Sequence, residues 1–243
     1  MTTAPGPHPD PTALEAAMAD PTRSVVVDRA PGDGPQPAMV SFGGLSNGTD
    51  DPPFEFVRQT GSLGVHRVFV RDLGQCWYQQ GLPGTAEGVR AASAALAAVL
   101  DDLAPSRRVY VGNSSGAFAA VLFGVLGGAD EVVAFGPLAA VTRRDRLAAR
   151  DRRWSAQVRA ARRRASDPVH LDLRRLLATT PHPGRISVHY GELDPRDTRA
   201  AGLLASVEGV DVVAHPGGHL FIRKLRDVGQ LQPILEAALR PPD

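Results

Sequence analysis

The sequence predicts an α/β fold: one doubly wound, mostly parallel sheet of about seven or eight strands, with helices on both faces and a small helical cap. Short apolar runs alternate along the chain with longer stretches of helical character, which is the order expected of a mostly parallel sheet. The chain has 243 residues, 43% of them hydrophobic. That length and composition suit a single domain with a sizeable core.

Seven segments have the length and apolar content of buried strands, and five have the length and periodicity of helices. The predicted strands lie near residues 23–28, 37–42, 65–71, 107–112, 131–135, 185–190 and 210–215. The predicted helices lie near residues 52–60, 85–103, 115–127, 197–206 and 227–239. Residues 1–22 contain five prolines and no strong hydrophobic period, so we expect them to be poorly ordered and residues 23–243 to form the folded domain.

The central predicted strand leads directly into Gly112-Asn113-Ser114-Ser115-Gly116 and then into a helix of small and apolar residues. This context is typical of a nucleophile elbow, a sharp turn that raises a serine hydroxyl above the sheet. Gly112 and Gly116 would be required because the turn leaves no room for side chains there. The sequence therefore indicates Ser114 as a nucleophile.

A serine nucleophile needs a histidine base and a carboxylate that orients the base. The strand near 185–190 ends in Gly191-Glu192-Leu193-Asp194, and the strand near 210–215 ends in His215-Pro216-Gly217-Gly218-His219. The carboxyl ends of parallel strands share one edge of the sheet, so residues there can meet Ser114. We predict His219 as the base, with His215 as the alternative. We predict Asp194 as the acid, with Asp197 as the alternative and Glu192 as a weaker one.

With these three motifs in this order, the chain from about residue 23 resembles the α/β-hydrolase superfamily. The resemblance implies an oxyanion hole after the strand near 37–42, where Gly43-Gly44-Leu45 follows Phe42. The backbone N–H of Gly44, with Gly43 or Leu45 as the alternative register, would act together with that of Ser115. The superfamily usually has eight strands, which implies that its first, small strand is missing here or unrecognised.

The loop after the strand near 65–71 begins with Arg71-Asp72 and continues to Gly84. Similar proteins often have an aspartate and glycines in this loop beside the active site. Here it also contains Trp77 and Tyr78, and we expect one or both to line a substrate pocket, because such pockets have apolar and aromatic walls. The alternative is that Trp77 only anchors the loop on the core.

Residues 137–184 lie where the superfamily carries its lid, and we predict a small, Arg-rich cap there. Twelve arginines and four aspartates fall between Arg143 and Arg175. They could form a solvated helical face. They could instead recognise an anionic group, such as a phosphate, a carboxylate, a coenzyme A tail or an acidic carrier protein. Nucleic acid is disfavoured, because the net charge is only +1 and the run lacks interleaved aromatic residues.

Composition excludes several other classes. Cys76 is the single cysteine, so there is no internal disulfide and no cysteine-rich zinc site. His66, His170 and His182 lack the spacing of a metal site, and we expect neither a metal nor a cofactor. The first residues do not resemble a signal peptide, and no apolar run is long enough to span a membrane. We therefore expect a cytoplasmic protein without nucleic-acid or membrane partners.

These features predict a serine-dependent acyl hydrolase of the esterase or thioesterase type, acting on a small acyl substrate that could be anionic or carrier-bound. An acyltransferase or a cyclising thioesterase of a biosynthetic pathway would use the same three residues, with an alcohol or amine in place of water. A catalytically inactive binding module is the third hypothesis, because a fold alone does not establish function.

Overall fold

A computed structural model describes residues 11–32, 34–46, 53–182 and 184–241 of the chain. Nine strands are present in this part. They are β1 Val25–Asp28, β2 Ala38–Phe42, β3 His66–Val70, β4 Gly81–Leu82, β5 Ala86–Glu87, β6 Arg108–Asn113, β7 Glu131–Phe135, β8 Arg185–Gly191 and β9 Val210–His215. Seven of them form the main sheet in the order β1-β3-β2-β6-β7-β8-β9, and β4 and β5 form a separate two-stranded ribbon.

The main sheet confirms the predicted fold class. β1 pairs antiparallel with β3, and every other neighbouring pair is parallel. Each of the seven predicted strands coincides with one of these strands within two residues at either end. Apolar runs five to seven residues long identify such strands well, because strands covered on both faces have little polar alternation. The described residues add no eighth strand to this sheet.

Ten α-helices and one 3-10 helix surround the sheet in the described ranges. They are α1 Pro11–Ala19, α2 Val57–Thr60, α3 Val89–Leu103, α4 Ser115–Gly127, α5 Arg143–Ala148, α6 Ser155–Arg164, the 3-10 helix Pro168–Leu171, α7 Leu173–Thr179, α8 Pro195–Leu204, α9 Phe221–Asp227 and α10 Leu231–Ala238. None of them is long and apolar enough to cross a membrane.

Helices cover both faces of the sheet. On one face, α3, α4, α7 and α8 pack against side chains such as Val40 and Tyr110. On the other, α9 and α10 pack against the alternate residues, including Met39 and Val109. α4 lies in the middle of the first face, and its residues from Ser115 to Val125 are all buried. The helix that follows Ser114 is therefore fixed by the core along most of its length.

Four segments differ from the predicted elements. α1 lies inside residues 1–22, which we expected to be poorly ordered; residues 1–10 lie outside the described part. The helix predicted at 227–239 begins only at Leu231, as α10, after Gly229, whose φ of 74° is left-handed; α9, which precedes this glycine, was not predicted. The helix predicted at 85–103 begins only at Val89, and the helix predicted at 52–60 is reduced to α2.

The cap segment, residues 137–184, contains α5, α6, the 3-10 helix and α7. α7 belongs to the core, since Leu173, Leu176 and Leu177 are buried in the same cluster as α4. α5 and α6 lie further out, and most of the arginines of the segment are exposed or half-buried. The cap segment therefore divides into one crossover helix and two short outer helices.

Candidate active site

Ser114 lies at the turn between β6 and α4, in a strained conformation with φ 55° and ψ −114°. A Cβ added to Gly112 would lie 2.1 Å from the carbonyl oxygen of Gly116, and one added to Gly116 would lie 2.1 Å from that of Phe42. Both glycines are thus required by close backbone contact. A non-glycine residue in such a conformation carries strain on the order of 1–3 kcal/mol. The packing of the buried α4 and the hydrogen bonds of β6 must offset that strain.

The side chain of Ser114 meets that of His219. Ser114 Oγ and His219 Nε2 are 3.1 Å apart, a hydrogen-bond distance. His219 lies in the turn between β9 and α9, after Gly217, which has a left-handed φ of 133°. A Cβ on Gly191, at the end of β8, would lie 2.3 Å from the carbonyl oxygen of Gly218. The turn that presents His219 is therefore packed tightly against the end of β8.

The structure corrects the predicted carboxylate. His219 Nδ1 lies 3.0 and 2.9 Å from the two carboxylate oxygens of Asp197, the residue that the sequence suggested only as the alternative. Asp194 instead begins α8 as its N-cap, accepting hydrogen bonds from the N–H groups of Arg196 and Asp197. A capping side chain must fold back onto the first turn, so Asp194 points at its own helix. Asp197, three residues later in that turn, faces His219.

The other two alternatives from the sequence do not reach Ser114. His215 Nε2 is 2.9 Å from Nδ1 of His189, and its ring stacks on Phe221. Burial, with the neighbouring His215, lowers the pKa of His189 to about 4. This pair belongs to the packing beneath α9. Glu192 is exposed beside the end of β8.

Some of the backbone N–H groups predicted to form the oxyanion hole already donate hydrogen bonds elsewhere. The Gly43 N–H donates to the carbonyl of Val70 at 2.8 Å, which continues the pairing of β2 with β3. The Gly44 N–H donates to Oε1 of Glu55 at 3.2 Å. In the part of the chain that the structure describes, the N–H of Leu45 has no such partner, and Ser115 opens α4, where N–H groups have no acceptor within the helix. The available donors are therefore those of Leu45 and Ser115.

Glu55 was not predicted from the sequence, although it lies in the cleft beside Ser114. The side chain of Asn113 lies beside its carboxylate in this cleft. Burial raises its pKa to about 7, against the opposing effects of the Gly44 N–H, of Asn113 and of Arg223. Residue 55 lies inside the helix predicted near 52–60, and nothing in that pattern distinguishes this glutamate from one on a solvent-exposed helix face.

Trp77 and Tyr78 do not line the cleft, contrary to the prediction. Both are buried in the core cluster that contains α4. The Tyr78 hydroxyl donates to the carbonyl of Gly43 at 2.8 Å. Asp72 fixes this loop, accepting from the N–H groups of Cys76 and Tyr78 at 2.6 and 2.9 Å. The loop therefore packs on the core and supports the Gly43–Leu45 turn. This is the alternative in which Trp77 anchors the loop.

The same loop contains the one cysteine of the sequence. Cys76 is fully buried. Burial, together with the nearby Asp72, raises the pKa of its thiol to about 12. A thiol reacts as its thiolate, so Cys76 has no nucleophilic character here.

The cleft over Ser114 has a volume of about 490 Å³. Its walls come from the Gly44–Ser46 turn, from Pro53 and Glu55, from the cap residue Trp154, and from Leu220 and Arg223. Trp154 precedes α6 and has a left-handed φ of 54°. The aromatic side chain at the cleft is thus supplied by the cap segment rather than by the 73–84 loop.

Ion pairs join the cap segment to the helix that carries Asp197. Asp151 is buried and lies 3.1 Å from both Arg146 and Arg153. Arg153 also approaches Asp194 at 3.9 Å. In α6, Arg162, Arg163 and Arg164 are exposed, with no carboxylate at ion-pair distance among the described residues. Part of the arginine cluster is therefore structural and part faces solvent.

Sequence comparison finds no match to a protein-family model and none to a curated protein. Structure comparison does find similar proteins. The capsule O-acetyltransferase of Neisseria meningitidis serogroup A superposes with a TM-score of 0.61 at 12% identity, over 89% of this chain and 91% of that one. An esterase from Pyrobaculum calidifontis gives 0.56 at 18% identity, over 88% and 80%.

A third similar structure is the putative non-heme bromoperoxidase BpoC of Mycobacterium tuberculosis H37Rv. It gives a TM-score of 0.54 at 15% identity, over 90% of this chain and 97% of that one. Identities this low concern the fold alone. The similarity extends over most of each chain and shows that this chain has the α/β-hydrolase fold.

Proposed function

We propose that this protein is a serine-dependent acyl hydrolase, of the esterase or thioesterase type, that works through Ser114, His219 and Asp197. The observation that supports this proposal is the continuous hydrogen-bonded path from Asp197 through His219 to Ser114 at a strained, glycine-flanked turn. Strain of this kind persists only where the surrounding structure maintains it, and it concentrates at functional sites.

In the proposed reaction, His219 Nε2 takes the proton of Ser114 while Oγ attacks the carbonyl carbon of the substrate. The carbonyl oxygen becomes an oxyanion, which the N–H groups of Ser115 and Leu45 would stabilise. As the tetrahedral intermediate collapses, His219 gives its proton to the departing alcohol, thiol or amine. The acyl group stays on Ser114 as an ester.

The second half repeats these steps with water. His219 removes a proton from the water, the hydroxide attacks the acyl-enzyme, and Ser114 regains its proton as the acid leaves. Asp197 would hold the Nδ1–H of the ring, fix its tautomer and stabilise the imidazolium formed in each half. Asp197 is buried, where its interaction with that cation is screened little by solvent.

An acyltransferase with the same three residues is the second candidate. The cleft adjoins a further cavity of about 270 Å³, and the two share Glu55, Asn113, Leu220 and Arg223. This second space would hold an acyl acceptor or the remainder of an acyl donor. The similar Neisseria enzyme is an O-acetyltransferase, and one of its structures is described as a complex with CoA. By extension, we propose that this protein takes an anionic or carrier-bound acyl donor. Arg223 and the exposed arginines of α6 would bind the negative charge of such a donor.

The test is a rapid-quench mass measurement of the intact protein after mixing with p-nitrophenyl acetate or acetyl-CoA, with Ser114→Ala as the control. One added acetyl group that is absent in the variant supports acyl-enzyme chemistry. Release of acetate then indicates a hydrolase, whereas transfer of the acetyl group to an added alcohol or amine indicates an acyltransferase. A folded protein without adduct or turnover would favour the binding module instead.

A further inference from the structure

Glu55 has a position that the proposed reaction does not use. It is partly buried, it faces the cleft of Ser114, and it has no ion-pair partner within 4.0 Å in the described residues. A carboxyl group held away from water without an ion pair costs free energy unless hydrogen bonds compensate. Its hydrogen bond from the Gly44 N–H and its position beside Asn113 therefore require an explanation.

Gly44 and Asn113 lie on the two sides of the proposed oxyanion hole. Gly44 belongs to the turn that follows β2 and precedes Leu45, one of the two available donors. Asn113 is the last residue of β6 and lies two positions before Ser115, the other donor. A Cβ added to Gly44 would lie 3.2 Å from Oε1 of Glu55 and 3.4 Å from the carbonyl oxygen of Asn113. Glu55 thus bridges the turn after β2, to which it is hydrogen-bonded, and the serine turn, beside which it lies.

The segment around Glu55 is built to keep the carboxyl in place. Phe54 packs under the guanidinium of Arg71, 4.5 Å from its ring centre. Phe56 is buried against Phe135 with a left-handed φ of 63°, which is strained for an aromatic residue. Two anchored aromatic residues on either side of Glu55 leave its backbone little freedom.

We propose that Glu55 is a positioning residue that sets the separation of the Leu45 and Ser115 N–H donors by holding Gly44 and Asn113 together. This inference rests on the proposed function. Oxyanion donors act on the tetrahedral intermediate far more than on the bound substrate, so loss of the bridge lowers kcat and leaves KM nearly unchanged. Misplacement of a site by about 1 Å typically costs on the order of 100-fold in rate.

The experiment compares the steady-state hydrolysis of p-nitrophenyl acetate by the wild type, Glu55→Ala and Glu55→Gln. Glu55→Ala removes the hydrogen bond to Gly44 and the contact with Asn113, and we expect kcat to fall about 100-fold with KM within about twofold. Glu55→Gln retains one carbonyl acceptor for the Gly44 N–H, so we expect partial rescue, with a loss of about tenfold. Affinity for phenylboronic acid, which forms a tetrahedral adduct on a serine, should fall in the same order.

Arg58→Ala is the matched control, since Arg58 lies in α2, three residues after Glu55, is exposed, and lines neither the cleft nor the adjoining cavity. We expect it to keep wild-type kcat. Unchanged kcat and boronate affinity in both Glu55 variants would overturn the inference, as would a faster Glu55→Ala, which would mean that the carboxyl blocks the Gly44 donor. If Glu55→Ala does not fold, Glu55→Gln alone decides. Absence of turnover in the wild type contradicts the proposed function itself.

Discussion

Both carboxylate oxygens of Asp197 lie within 3.0 Å of Nδ1 of His219. The carboxylate comes from the first turn of α8, where the N–H groups at the helix start favour negative charge. Asp194 begins that helix as its N-cap. One aspartate therefore fixes the helix start, and the other, three residues later, fixes the histidine.

Identical substitutions at the two aspartates should separate these roles. We expect Asp197→Asn to lower kcat by about four orders of magnitude, because the amide cannot hold the required tautomer of His219. Asp194→Asn should remain within a few-fold of the wild type, since asparagine is an equally good N-cap. Steady-state kinetics with p-nitrophenyl acetate measures both. Equal losses in the two variants would disagree with this assignment.

The glycines of the serine turn should tolerate no side chain. In Gly116→Ala, the new Cβ would meet the carbonyl oxygens of Phe42 and Gly43 at 2.1 and 2.8 Å, and backbone must shift to relieve the contact. We expect a loss of more than about 3 kcal/mol in the free energy of unfolding or a failure to fold. Gly202→Ala, in α8 with open space around it, should instead stabilise by up to about 1 kcal/mol. Urea denaturation of both variants checks this, and a stable Gly116→Ala would show that the turn is looser than described.

Glu55 should make stability depend on pH. Its pKa is about 7 in the folded protein against an ordinary 4.5, so the folded state binds the proton more tightly than the unfolded chain. The resulting stabilisation is complete below pH 4.5 and is lost as the pH rises through 7. The charged and titratable groups that act on this carboxyl or share its cleft are Arg223 from α9, Tyr78 and His219.

Glu55→Gln removes this titration and leaves the other groups in place. Its free energy of unfolding relative to the wild type should therefore rise between pH 4.5 and pH 8 by on the order of 2 kcal/mol, a value reduced for the partial exposure of the side chain. Urea denaturation of both proteins at the two pH values measures the difference. A difference that is constant with pH would mean that Glu55 titrates normally.

Substitution of Trp77 should mainly affect stability, whereas substitution of Trp154 should mainly affect substrate binding. Trp77 is buried in the core, so we expect Trp77→Ala to lower the free energy of unfolding by about 3–5 kcal/mol. Trp154 lines the cleft at the start of α6, so Trp154→Ala should mainly raise KM for acyl esters, with a smaller change in stability. Thermal unfolding together with KM and kcat separates the two. A wild-type KM in Trp154→Ala would remove the cap segment from the substrate site.

Sequence reasoning succeeded where local pattern and close packing act together. The strands are short apolar runs that end in turns. β2 pairs with β6 so that Phe42 lies opposite Gly112. The close contact between Gly116 and the carbonyl oxygen of Phe42, which leaves no room for a side chain, is the one that the glycine motif predicted. The expected meeting of Ser114 with a downstream histidine at the sheet edge agrees with the contact to His219.

The errors concern side chains whose direction depends on tertiary packing. Asp194 and Asp197 differ by three residues in one helical turn, and only the capping geometry shows which of them faces His219. Trp77 lies in a loop that folds inward because Asp72 gathers its N–H groups. Glu55 lies in the segment predicted as a helix near 52–60, of which only α2 forms, and Trp154 lies in the arginine-rich cap segment. No pattern in the sequence marks either of them as a residue of the cleft.

The central claim is that Ser114 is an activated nucleophile, and its most direct test is the intact mass of the protein after exposure to a small fluorophosphonate. The wild type should gain one adduct, Ser114→Ala should gain none, and His219→Ala should react far more slowly. The melting temperature should be nearly unchanged in both variants. An adduct that persists in Ser114→Ala, or a folded wild type that does not react, would contradict the account.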